Sequence, residues 1–97
     1  MPELSASEPT VRRRLVAHGR VQGVFFRASC RDEANAHKVS GSADNLADGS
    51  VELVLEGAQS AVEEMVAWAR TGPAHAEVRG VDVYEERPQG VSGFTVS

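Results

Sequence analysis

The sequence is short of every residue type that holds small proteins together from outside a core. Its one cysteine, Cys30, can close no internal disulfide and excludes a multi-cysteine metal site, a usage that fits a reducing compartment. Three histidines, His18, His37 and His75, stand far apart and lack ligand spacings such as HxxxH. No apolar run approaches the length needed to span a bilayer, and the opening residues lack the basic and apolar regions of a leader. A cytoplasmic protein with no membrane partner is therefore expected. Positive charge is not in excess either: the formal net charge is -4 and the pI about 5.3. No global basic field draws the chain to nucleic acid, and no nucleic-acid partner is expected. Any anion must be bound locally.

What is present is ordinary for one small globular domain: 97 residues, 41% hydrophobic and 25% charged. A complete small core of this size predicts a monomer. Residues 1 to 10 are polar, hold two prolines and show no periodicity, so they read as a disordered tail ahead of a domain over 11–97. Val11, Leu15 and Ala17 alternate with Arg12, Arg14, Val16 and His18 in a first strand. Its Arg12-Arg13-Arg14 run reads as a solvated strand edge rather than a nucleic-acid contact. Phe26, Cys30 and Ala34 draw an apolar stripe on a helix from about Phe25 to His37, with Cys30 as a buried thiol. Val39 to Asp44 forms a second strand, Asn45 to Gly49 a tight connection, and Val51, Leu53 and Leu55 face inward from a third. A second helix follows to Arg70, with Val62, Met65, Val66 and Ala69 inward and a capping box of Ser60 with Glu63. Strands at about Glu77 to Glu86 and Phe94 to Val96 complete the chain. This order predicts an α+β, ferredoxin-like split βαβ sandwich, with two helices on one face of an antiparallel sheet of four strands plus a short fifth.

The stretch that carries chemistry is Gly19-Arg20-Val21-Gln22-Gly23-Val24-Phe25-Phe26-Arg27. It joins a strand to a helix and holds two glycines four apart, so the N–H groups of Arg20, Val21, Gln22, Gly23, Val24, Phe25 and Phe26 can converge on one anion. Arg27, in the first helical turn, can grip phosphate oxygens with paired donors. In the split βαβ topology the first and second strands are parallel, so their carboxyl ends share one edge of the sheet. Asn45 thereby meets the cradle.

The nonapeptide resembles the signature of the acylphosphatase family, a Gly-Arg-Val-Gln-Gly-Val stretch followed after one variable residue by Phe-Arg. The likeness continues through Gly41, Asn45, Asp48-Gly49, Val51-Glu52, Glu56-Gly57, Gly72-Pro73 and Gly93-Phe94, from Val11 to Val96. It implies hydrolysis of small acyl phosphates to carboxylate and inorganic phosphate by direct water attack, with Arg27 and Asn45 as catalytic residues and no metal or organic cofactor. The residues agree with that chemistry. A carboxylate leaves without protonation, so the protein need only hold the phosphoryl group, offset its charge and place a water in line. The Asn45 carbonyl can orient that water but is too weak a base to take its proton. The alternative on the same fold is a non-catalytic module that binds a phosphorylated metabolite or RNA.

Two departures from the family pattern stand out. His37-Lys38 occupies the place of an apolar residue followed by glycine, so Lys38 is expected to end the helix under strain. Ser42-Ala43-Asp44 stands where the family has Trp-Val-Arg or Trp-Val-Lys, which removes a cation's attraction for an anionic substrate.

Overall fold

In the computed structural model, which describes residues 8–97, the elements follow the expected order. They are β1 (Thr10–Arg20), α1 (Phe26–His37), β2 (Ser40–Asn45), β3 (Val51–Ala58), α2 (Gln59–Thr71), β4 (Glu77–Glu86) and β5 (Phe94–Val96). Period-two alternation decides which way the strands turn. Leu15 and Ala17 of β1 lie opposite Leu53 and Val51 of β3, all without exposed surface, and meet Phe26, Cys30 and Ala34 of α1 and Val62, Met65 and Ala69 of α2. Both helices therefore cover one face of the sheet, as the ferredoxin-like reading requires.

The strand order is β4-β1-β3-β2-β5. Since β1 and β2 are each antiparallel to β3, they run parallel to one another and end at the same edge. The sheet differs from the expectation in one respect: β5 joins β2 in parallel, which makes it mixed. To reach that place the chain leaves β4 at one edge and crosses the helix-free face as the segment 87–93.

That crossing depends on a buried carboxylate. The arginine run is not a solvated edge, because β1 has a strand on either side and each arginine is paired with a carboxylate of a neighbouring strand. Arg12 faces both Glu56 and Glu86, and Arg13 faces Glu85. Arg12 donates to Glu56 and to Glu86 at 3.0 Å each, and Arg14 donates to Glu86 at 3.0 Å. Glu56, only 4% exposed, also accepts the N–H groups of Gln89 at 2.9 Å and Gly90 at 2.7 Å, which ties the crossing to β3. Burial pushes the Glu56 carboxyl up. The Gln89 N–H, the Arg12 guanidinium and the Gly90 N–H together outweigh it and hold the group below its ordinary value.

Helix ends show two further results. The Ser60–Glu63 capping box does not form. Ala58 is the N-cap without a side-chain bond, and the Glu8 carboxylate instead accepts from Ser60 N at 2.7 Å and Ser60 Oγ at 3.1 Å. Residues 1 to 7 of the expected tail lie outside the described residues, while Thr10 already pairs with Ala58. Lys38 does take the left-handed conformation, at φ 58°, and its N–H closes α1 onto Ala34 and Asn35 carbonyls.

Glycine at position 38 relieves a left-handed strain of about 1 kcal/mol. Lys38→Gly should thus raise the unfolding free energy by up to about 1 kcal/mol in urea titrations. Glu56→Ala should lower it by about 3 kcal/mol, because the Arg12 charge loses a buried partner and the crossing loses its anchor. A carboxylate held below its ordinary value contributes stability above that value and loses it as pH falls through the lowered one. The wild type should therefore lose stability on acidification below the usual glutamate range, and Glu56→Gln should lose less over the same interval.

Candidate functional site

The loop that follows β1 is narrower than the nonapeptide suggested. β1 continues through Gly19 and Arg20 by way of a bulge between His18 and Gly19. Gly19, at φ 119°, lies so close to β4 that a Cβ there would sit 2.2 Å from the Glu77 carbonyl oxygen. The loop proper is residues 21 to 25. Val21, Val24 and Phe26 sink into the core and fix its path, and Trp68 packs on Phe26 with ring centroids 5.4 Å apart. Gly23 at φ 75° and Phe25 at φ 62° both take positive φ, the reversals that let successive N–H groups share a direction.

Among the described residues those N–H groups meet no partner. The first α1 N–H to reach a carbonyl is that of Ser29, on Phe25 at 2.9 Å. Among the described residues no acceptor meets the N–H groups of residues 23 to 28. The α1 N-terminus also has no side-chain cap and no acid in its first turn. Free donors at the positive end of a helix favour an anion.

Gln22 fastens this loop to the turn beyond β2. Its Nε2 donates to the Leu46 carbonyl at 2.8 Å and to the Ser50 carbonyl at 2.9 Å. The turn is closed by Leu46 N to Ser50 O at 2.8 Å and Gly49 N to Leu46 O at 3.1 Å. Asp48 steadies it further by accepting from Ser50 N and Ser50 Oγ, and these bonds hold the Asp48 carboxyl below its ordinary value. Asn45 is the last residue of β2. Its register with Val51 and that of Ala43 with Leu53 put it on the helix side of the sheet, facing the loop.

Together these elements enclose a cavity of about 270 Å³, bordered by Gly23, Phe25, Arg27, Ala28, Asn45 and Val96 among others. Arg27 and Asn45, far apart in sequence, are thus brought together. Arg27 forms no ion pair with Asp32 or Glu33; among the described residues Asp32 is paired with Arg31 instead. Of the remaining loop residues, Val21 and Phe26 border the cavity, while Gln22, Val24 and Arg20, the exposed last residue of β1, are not part of its lining.

Other polar candidates lie elsewhere. His18 pairs with Asp82 at 2.9 Å on the opposite face of the sheet, and burial, with the charge of Glu33, pushes the Cys30 thiol up to about 12. Asp44 points away from Asn45 and accepts from the Ser97 hydroxyl. Tyr84, the exposed aromatic of the helix-free face, lies on the outer strand β4 with the Arg14 guanidinium 4.4 Å above its ring. Sequence reasoning missed Val96, since nothing in the chain's periodicity told where β5 would pair. The matched Gly93-Phe94 was its one signal.

The Acylphosphatase family profile matches residues 13–96. An acylphosphatase of Rubrobacter xylanophilus is 49% identical over 94 residues, 96% of this chain and 86% of the relative. One from Roseiflexus sp. is 54% identical over 79 residues, 80% of this chain and 85% of the relative. The solved structure of an acylphosphatase from Coxiella burnetii superposes with a TM-score of 0.88 at 32% identity, covering 97% of this chain and 98% of that one. With fold, loop and sequence in agreement, the chain belongs to the acylphosphatase family, whose enzymes hydrolyse acyl phosphates.

Proposed function

We propose that this enzyme cleaves the carboxyl–phosphate bond of small acyl phosphates by in-line attack of a water on phosphorus. The observation that carries this reading is the shared cavity: Arg27, Asn45 and the loop residues Gly23 and Phe25, whose N–H groups meet no acceptor among the described residues, all border one space. The phosphoryl oxygens take the N–H groups of residues 23 to 28, along the loop and the α1 N-terminus, and Arg27 offsets their charge with paired donors. The Asn45 carbonyl accepts a hydrogen bond from the attacking water and sets its direction. The new P–O bond forms as the bond to the acyl oxygen breaks. The carboxylate departs with the bonding pair, and the water proton ends on a phosphate oxygen.

No step calls on a metal or an organic cofactor, because neither the leaving group nor the nucleophile needs a strong acid or base. A monomer in the cytoplasm, with no nucleic-acid partner, belongs to the same proposal. The absence of a nucleic-acid partner is supported by the net charge of -4 and by the pairing of Arg12, Arg13 and Arg14 with carboxylates.

Arg27→Ala and Asn45→Ala should each lower kcat/KM for acetyl phosphate by roughly 10²- to 10³-fold in the presence of a chelator. The two should differ in one readout. Inorganic phosphate should compete far less well against Arg27→Ala than against wild type, and about equally well against Asn45→Ala. Near-normal rates in both variants would remove the mechanism.

A further inference from the structure

Phe25 stands apart from the other large apolar side chains. It is 77% exposed, against 37 to 44% for Val83, Tyr84 and Val91, and it borders the cavity that holds Arg27 and Asn45. Its backbone is left-handed, at φ 62° and ψ 24°, a conformation that glycine adopts without strain and that a bulky residue does not. With most of its surface in water, the ring gains little from packing to offset that strain. The core residues on either side, Val24 and Phe26, already anchor the loop. The conformation therefore leaves an exposed aromatic residue at the border of the cavity.

The walls of the cavity divide by chemistry. Gly23, Arg27 and Asn45 supply donors, charge and an amide, while Phe25, Ala28 and Val96 supply apolar surface. An acyl phosphate has the same division, since its phosphoryl group is charged and its acyl chain need not be. With the phosphoryl group against Arg27, the acyl part has the apolar residues as its remaining contacts. We propose that Phe25 is a specificity-determining residue that packs its ring against the acyl part and favours apolar, above all aromatic, acyl phosphates over small or charged ones. This rests on the catalytic reading of the same cavity. Val96, delivered by β5, is a further apolar residue of the same lining.

The test is the ratio of kcat/KM for benzoyl phosphate to that for acetyl phosphate, measured for wild type, Phe25→Ala and Phe25→Leu. Alanine keeps a Cβ at the left-handed position and so keeps the loop's backbone demand, while removing the ring. Wild type should prefer benzoyl phosphate. Phe25→Ala should lower the ratio on the order of tenfold, mainly through KM for benzoyl phosphate, and Phe25→Leu should recover part of it. An unchanged ratio in Phe25→Ala, or equal losses on both substrates, would overturn the inference and leave the catalytic reading standing. Turnover of neither substrate by the wild type would overturn both.

Discussion

The site depends on one side-chain amide. Gln22 sends both hydrogens of its Nε2 to carbonyls of the Leu46–Ser50 turn, at 2.8 and 2.9 Å, and so fixes the spacing between the cradle and Asn45. Both segments follow strands that run parallel with β3 between them, and no backbone ladder connects β1 to β2 directly. The sheet brings the two loops to one edge, but only at the resolution of a strand spacing. Water attack in line with a breaking bond tolerates far less error than that. The Gln22 bonds supply the last adjustment, and the buried Val21 and Val24 keep the loop from following any movement of its exposed residues.

A second constraint acts from the far side of the sheet. Glu56 anchors the segment that carries the chain across to β5, and β5 places Val96 at the cavity. The acid cluster around Arg12 and the candidate cavity lie on opposite faces of the sheet. β5 links them, since the crossing that Glu56 holds leads into the strand that carries Val96. Buried ion pairs are poor sources of net stability, and this one is better understood as fixing where a strand goes.

How much of this was readable beforehand follows from the range of the interactions. That the loop, Arg27 and Asn45 would meet at one edge of the sheet was legible because the signal is local or follows from element order: a strand, a glycine-bearing turn, a helix, and the split βαβ topology. The strain at Lys38 was legible for the same reason, as one residue in one helix end. Register was not. Arg12, Arg13 and Arg14 looked like a solvated edge because nothing in the run itself says that Glu56, Glu85 and Glu86 will stand opposite. The capping box at Ser60 failed because a carboxylate far away in the chain, Glu8, reached the same N–H first. Gly19 and Arg20 belong to the strand through tertiary contact with β4, which no local pattern reveals. Asp44 faces away from Asn45, as strand alternation implies, and accepts from the Ser97 hydroxyl.

The most direct test of the account is a double-mutant cycle between Gln22→Ala and Asn45→Ala, read as kcat/KM for one acyl phosphate with folding checked for each variant. If Gln22 acts by holding the turn that carries Asn45, its removal should cost much in the wild type and little once Asn45 is gone. If the two losses instead multiply as independent effects, the bonds to Leu46 and Ser50 do not position the asparagine, and the central claim is wrong.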